Sequence, residues 1–433
     1  MTPLDAGLQE RSRFRAPAIV FWAGVLVRVG YITLAHTYRF SPFEDHFTFG
    51  YEMARIARAL VTGYGYADPF SGHTGPTAWV PPLYPLLIAA VFKIAGVYTP
   101  TSGWILLSVN SVFSAATALC VYEIGARCYN RSVAVWSAWI WALYPAAMQY
   151  AVRWVWETSL STFLFAAVMV LALRLRGMGN EKPTSDSQSA ARWLLFGLLW
   201  ALIALSNSTL LVFLPVCGVW ILLGSRRRGA ALSRAVLAGV VFMGCVAPWV
   251  FRNWRVFHAF VPMRSNFGAE LYAGNGPGSY GFRYGVLINL AERDPQHRLY
   301  VQLGELAYVK RRGELAKAWI REHPRHFAAL TVKRFYFFWA SVPHPTDKHW
   351  ILDFVRQVNY CLPSITGILG LGLSLKRRVP AAALFTWAFV LVPMTYYFVT
   401  VEARFRHPLE PLIVILSVYL FKSATRRKQP ALN

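Results

Sequence analysis

Apolar stretches, many of them about 17–24 residues and so long enough to cross a bilayer as helices, run along nearly the whole chain between short polar or basic links. The first covers roughly 17–36. Others fall near 81–97, 103–126, 133–150, 157–175, 192–206, 208–224, 234–251, 326–342, 359–375, 381–400 and 408–421. Unpaired backbone groups are intolerable in hydrocarbon, so the pattern implies a helical bundle and not an open sheet. The expected fold is an all-α polytopic membrane protein with about ten to thirteen transmembrane helices. Pro82 and Pro85 in the second stretch, and Lys333 and Arg334 in 326–342, make re-entrant or interfacial segments the alternative there.

The breaks in the apolar pattern divide the chain. An N-terminal transmembrane module, 1–251, contains a long first loop at 37–80. A hydrophilic region follows at 252–325, and a second transmembrane region at 326–433. Within the first loop, Met53, Ile56, Ala57 and Leu60 recur at helical spacing with Arg55 and Arg58 opposite them, which predicts a short amphipathic helix over Tyr51–Val61 lying on the membrane surface. Leu303, Leu306, Leu315 and Trp319 give Leu299–His323 the same character.

Charge fixes the expected orientation. The chain carries 44 Lys+Arg against 20 Asp+Glu, and much of the excess sits in the short links Arg127–Arg131, Arg174–Arg192 and Arg226–Arg234. That is the positive-inside signature, so these links are expected in the cytoplasm. The first loop, the 252–325 region and Glu402–His407 then face outward from the cytoplasmic membrane. A basic surplus placed this way suits membrane lipids and a phosphate-bearing substrate; nucleic acid is not an expected partner. The five cysteines have no metal-like spacing and read as packing residues.

Charged residues at the membrane edge are the candidates for chemistry, because desolvating them is costly. Glu44 and Asp45 could serve as a general base, with burial against Phe43 and Phe47 raising their basicity. Together with His46 they could instead hold a divalent cation, the one cofactor considered. Glu52 lies in the same loop. Glu157 opens an apolar run next to Arg153. The pair reads either as an i,i+4 ion pair or as part of a site. In 400–411, Glu402, Arg404, Arg406 and His407 stand between two apolar runs, and paired arginines can clamp phosphate oxygens with forked donors. YAGNGPGSYG at 272–281, which includes Asn275, lacks the Lys-Ser/Thr ending of a P-loop and reads as a tight turn that could line a groove.

The order of several motifs adds to this reading. An acid-bearing first loop leads into IARALVTGYGY (Ile56–Tyr66) and PPLYPLL (Pro81–Leu87). PWVFRNWRVFHAFVPMRSNFGAELYAGN (248–275) and EARFRHPLEPL (402–412) follow. Taken together the chain resembles the family 39-like integral-membrane glycosyltransferases of the GT-C fold, whose relatives include protein O-mannosyltransferases and aminoarabinose–lipid A transferases. The resemblance implies a GT-C-type bundle with outer-face amphipathic helices. It also implies an inverting glycosyltransferase that takes a sugar from a polyprenyl-phosphate carrier and passes it to a protein, glycolipid or polysaccharide outside the cytoplasmic membrane. It points to Asp45 or Glu44 as catalytic base, with Glu52 as the alternative. Arg404 and Arg406 are implied to contact the carrier phosphate beside His407, and Glu157 looks like the family's later acid. The rival from another class is a transporter or flippase of lipid-linked sugar intermediates, which would be expected to show internal repeats and broken helices near the midplane.

Overall fold

In the computed structural model, residues 17–40, 48–179, 186–225, 228–282, 294–342 and 350–426 are described. Among them are 17 α-helices, two short 3-10 helices and no strand. The N-terminal module comprises α1 (Pro17–Leu34), α2 (Tyr51–Val61), α3 (Leu83–Ala95), α4 (Pro100–Cys128), α5 (Arg131–Leu143), α6 (Pro145–Val152), α7 (Thr158–Leu175), α8 (Asp186–Ala204), α9 (Leu214–Gly224) and α10 (Arg228–Phe257). Then come α11 (Phe267–Asn275), α12 (Pro295–Leu303), α13 (Glu305–Glu322), α14 (Pro324–Ala340), α15 (Trp350–Lys376), α16 (Ala382–Phe398) and α17 (Glu410–Arg426).

Five of the described helices are long and apolar enough to cross a membrane: α1, α4, α7, α10 and the Phe354–Lys376 part of α15. Their outward faces carry Trp22, Leu26, Val236, Val240, Leu362 and Ile365 exposed, the apolar exterior of a protein solvated by lipid. The protein is a polytopic all-α membrane protein. Helix α3 has 13 residues, roughly 20 Å of rise, short of a bilayer's hydrocarbon core of about 30 Å.

Local chemistry sets several helix ends. Thr99 caps α4 by accepting from the Ser102 amide at 3.1 Å, with Pro100 at the first turn, and Asn130 caps α5 through the Val133 amide at 3.0 Å. Small residues let helices meet closely: an added Cβ at Gly125 would meet Ala134, and one at Gly197 would fall on the Ala238 backbone. Buried arginines brace the bundle. Arg28 donates to the Ala142 carbonyl (2.7 Å) and the Gly24 carbonyl (3.1 Å). Glu123 accepts from Arg127 (2.6 Å) and Arg174 (3.0 Å), so this intramembrane acid pairs between helices.

Helix α2 forms with the bounds read from the pattern, but its setting differs. Met53, Ala54, Arg55, Ile56 and Ala57 are all buried, and the Arg55 guanidinium stacks 4.3 Å from the Tyr51 ring centroid. On the face that suggested a surface helix Arg55 is covered by protein and Arg58 is half-buried, because a guanidinium stacked on an aromatic face can be buried where a lysine ammonium could not.

Candidate active site

The first wall of the site is built by a loop that leaves α2. Asp68 sits at φ 57° and cradles the turn after it, accepting from the Thr74 amide (2.8 Å), the Gly75 amide (2.9 Å) and His73 Nδ1 (2.9 Å). Arg252 of α10 donates to the carbonyls of Tyr66 (2.7 Å) and Thr77 (2.6 Å). Buried Glu305, the first residue of α13, accepts from the Ala78 amide (2.7 Å), Ser265 Oγ (2.7 Å), Tyr300 Oη (2.8 Å) and the Thr77 hydroxyl. Burial pushes its carboxyl upward in spite of these donors. With the Ser265 amide also donating to the Ala78 carbonyl (2.8 Å), Glu305 locks Trp79–Pro81 to the segment that opens α11.

The second wall is the break between α6 and α7. The helix ends at Arg153, and the four-residue link to Thr158 is held from behind. Asn110 Nδ2 donates to the carbonyls of Trp154 (3.1 Å) and Trp156 (3.5 Å), and Asn110 Oδ1 accepts from the Tyr84 hydroxyl (3.0 Å). The Val155 amide donates to the Thr48 carbonyl at 2.8 Å. Gly50 makes that approach feasible: its φ is +83°, and an added Cβ would lie 2.7 Å from the Val155 carbonyl. This contact sets the start of α2, and so Glu52, beside Glu157.

The third wall comes from the C-terminal part. The link after α16 turns through a 3-10 helix, Ala403–Leu409. Arg404 Nε donates to Glu402 at 2.6 Å, and its guanidinium lies 3.9 Å from the centroid of Trp156. Phe405 stacks on Tyr396 with centroids 4.5 Å apart.

These walls enclose one cavity of about 100 Å³ lined by Glu52, Trp79, Val80, Pro81, Trp156, Glu157, Asn207, Arg264, Asn266, Glu270, Tyr396, Thr400 and Arg404, among others. Carboxylates and guanidinium groups from positions up to about 350 residues apart therefore share one apolar-walled space, the usual setting for oriented polar chemistry. Glu157 is partly buried, but its Oε2 is fully enclosed; Glu157 Oε2, Asn266 Oδ1 and Thr400 Oγ1 have no hydrogen-bond partner among the described residues. Burial pushes the Glu157 carboxyl above the ordinary carboxylate range, with Arg404 pulling the other way. Among the described residues no group of three or more His, Cys, Asp or Glu is placed to hold a metal ion.

The structure sorts the candidates read from the sequence. Glu52, Glu157 and Arg404 line the cavity, and Glu402 holds Arg404. Glu44, Asp45 and His46 lie outside the described residues. Arg406 and His407 turn inward. Arg406 is fully buried and donates to Glu410 (3.1 Å), Ser364 Oγ (2.7 Å) and the Tyr360 carbonyl (3.0 Å), while His407 meets Glu410 at 2.5 Å between Trp141 and Tyr150. Both brace the core around buried Glu410 and neither lines the cavity. Arg153 does not pair with Glu157: the helix has ended between them, and Arg153 reaches the Tyr31 hydroxyl at 3.3 Å. Asn275 is likewise internal, donating to the Phe398 carbonyl (3.1 Å) and accepting from Arg334 (2.8 Å). The reading of residues missed Arg264, Asn266 and Glu270, although all three sit in the quoted stretch MRSNFGAE, where a cation, an amide and an acid recur within one helical entry.

The comparisons agree with this architecture. The fold is that of the GT-C membrane glycosyltransferases, as the order of the sequence motifs implies. Residues 79–251, rather less than half of the chain, match the family model described as dolichyl-phosphate-mannose-protein mannosyltransferase. Among solved structures, the chain is similar to the Archaeoglobus fulgidus oligosaccharyltransferase in complex with zinc and sulfate, at 14% identity and a TM-score of 0.55, covering 94% of this chain and 49% of that one. It is also similar to AglB of the same organism in complex with an inhibitory peptide and a dolichol-phosphate, at 14% identity, TM-score 0.52, and 96% and 52% coverage. A looser likeness, at 12% identity and TM-score 0.40, links it to Cupriavidus metallidurans ArnT bound to undecaprenyl phosphate, over 94% of this chain and 78% of that one. The chain thus spans about half the length of the archaeal enzymes it matches. No curated protein matches it.

Proposed function

We propose that the protein transfers a sugar from a polyprenyl-phosphate carrier to an acceptor at the outer face of the cytoplasmic membrane. The observation that supports this most directly is the single cavity in which Glu52, Glu157 and Arg404 meet, walled by Trp79, Trp156 and Tyr396. Dolichol-phosphate and undecaprenyl phosphate, named in the two complexes above, are carriers of the proposed kind.

In the proposed reaction a hydroxyl or amine of the acceptor gives its proton to a first-loop carboxylate and attacks the anomeric carbon. The bond from that carbon to the phosphate oxygen breaks, its electron pair leaves on the polyprenyl phosphate, and the sugar configuration inverts. The base is Asp45 or Glu44, or else Glu52, which lines the cavity. Arg404 contributes forked donors for the phosphate, with its plane fixed by Trp156 and its Nε side by Glu402, so little reorganisation is needed as charge develops on the leaving group. Arg264, at the exposed rim, adds a second positive charge and is held by Thr209 Oγ1 at 2.9 Å. Holding donor and acceptor together accounts for much of the rate.

The test uses purified protein, a labelled polyprenyl-phosphate sugar, and mass spectrometry of the envelope glycans and lipids it modifies. Arg404→Ala should weaken binding of polyprenyl phosphate by roughly tenfold to a hundredfold, the loss of one or two charge-assisted hydrogen bonds. Unchanged affinity would remove Arg404 from the site. Full transfer in Asp45→Asn, Glu44→Gln and Glu52→Gln alike would remove the first loop as the source of the base. Relocation of an intact lipid-linked sugar with no new glycosidic bond would favour a flippase.

A further inference from the structure

Adjoining the main cavity, and sharing Glu157, Asn207, Arg404 and Phe405 with it, lies a second space of about 10 Å³, lined also by Thr158, Ser161 and Pro408. That is close to the room a single water needs, and the lining supplies several polar groups where an empty cavity would be apolar. Two of them want a partner. Glu157 Oε2 and Ser161 Oγ are buried, and neither has a hydrogen-bond partner among the described residues.

Among the described residues Ser161 shares its lack of a hydroxyl partner with Ser159 and Thr162 of the same helix, and of these three it is the one on the wall of this space. A buried hydroxyl on a helix ordinarily donates to the carbonyl one turn back, as Ser111 does to Leu107 (2.9 Å) and Ser374 to Gly370 (2.9 Å). At Ser161 the corresponding carbonyl is that of Glu157, which accepts the Ser161 amide at 2.8 Å, and the hydroxyl makes no such bond. A buried polar group without a partner is costly, so the hydroxyl and the carboxylate oxygen that face one small polar space call for a shared ligand.

We propose that one ordered water occupies this space, accepting from Arg404 or Asn207 and donating to Glu157 Oε2 and Ser161 Oγ, and that through it Glu157 and Ser161 act as positioning residues for the Arg404 guanidinium. The inference rests on the proposed role of Arg404 at the carrier phosphate. The water steadies the guanidinium, while Glu402 holds its Nε and Trp156 its face. Ser161, which lines only the smaller space, need not touch the substrate.

Two measurements decide it. A density map of the full-length protein that resolves buried waters should show one within about 3.2 Å of both Ser161 Oγ and Glu157 Oε2. No density there, with other buried waters visible, overturns the proposal whether or not the carrier binds. The second measurement is a double-mutant cycle on the dissociation constant for polyprenyl phosphate. Ser161→Val fills the space and Glu157→Gln removes the charge. Each should weaken binding about fivefold, and the double variant no more than either alone, because both act through the same water. Independent effects that multiply to about 25-fold overturn the shared-water link. If Ser161→Val is not recovered folded, Ser161→Cys, which keeps the volume with a weaker hydrogen-bonding group, takes its place in the cycle. A wild-type protein that does not bind polyprenyl phosphate at all defeats the functional reading, and the map alone then decides the water.

Discussion

Replacing Glu305 should loosen the cavity wall before it unfolds the protein. Its carboxylate accepts four hydrogen bonds: one from a backbone amide, Ala78, and three from hydroxyls, on Thr77, Ser265 and Tyr300. In Glu305→Ala the hydroxyls can rotate toward other acceptors, but the Ala78 amide cannot. A hydrogen bond to a charged group contributes about 1.5–3 kcal/mol and a stranded buried donor costs about 1–3 kcal/mol, so the net loss should be about 3 kcal/mol, far less than four bonds summed. That energy falls on a segment whose other ties include the hydrogen bonds from Arg252 to the Thr77 carbonyl and from the Ser265 amide to the Ala78 carbonyl. Amide hydrogen exchange at Ala78 and Trp79 should therefore speed up by roughly a hundredfold while the transmembrane helices keep their protection. Glu305→Gln keeps the shape and one acceptor oxygen and should lie between Ala and wild type. The measurement is hydrogen exchange by mass spectrometry on peptides covering 76–82, with α4 peptides as internal reference. Unchanged exchange at 76–82 in Glu305→Ala would refute the reasoning, and so would uniform acceleration across α4, which would make Glu305 a global and not a local brace.

Arg406→Ala should be poorly recovered or strongly destabilised, by about 3–5 kcal/mol, because it leaves Glu410 buried without its guanidinium partner; thermal unfolding beside Arg404→Ala, which should be close to wild type in stability, checks the contrast. Gly274→Ala should destabilise the protein, since the new methyl would fall on the Val399 carbonyl and push the segment that carries Thr400 into the cavity; wild-type melting and wild-type carrier affinity together would contradict this. Glu157 gives a pH signature. Its folded carboxyl titrates above the unfolded value, so the folded state holds the proton more tightly and the stabilisation, full below the unfolded value of about 4.3, is lost as pH rises through the folded one. Wild type should accordingly lose stability relative to Glu157→Gln as pH rises from about 4.5, and parallel melting curves across pH would show that Glu157 is not the group responsible.

Much of the framework was legible because lipid leaves few choices. Apolar length gave the helices, charge in the links gave their expected orientation, and α2 appeared with the bounds its spacing predicts. What stayed hidden was direction. Arg404 and Arg406 look alike in the sequence, yet one lines the cavity and the other lies in the core, a difference set by one 3-10 turn and by the acids waiting at Glu402 and Glu410. Glu305 looked like one more acid of an amphipathic outer helix, and nothing local marks it as the acceptor for Thr77 and Ala78, about 230 positions earlier. Arg264, Asn266 and Glu270 were in view but unassigned, because a motif shows that residues recur together without showing which of them face inward.

The cavity's far-flung walls also bear on how the protein is made. Glu157 is synthesised well before Arg404, so during insertion its carboxyl lacks the guanidinium that pulls hardest against the effect of burial. Arrival of the C-terminal helices therefore supplies that charge and completes the cavity in one event. A ribosome stalled before residue 400 would leave behind an embedded bundle whose cavity lacks Thr400, Arg404 and Phe405.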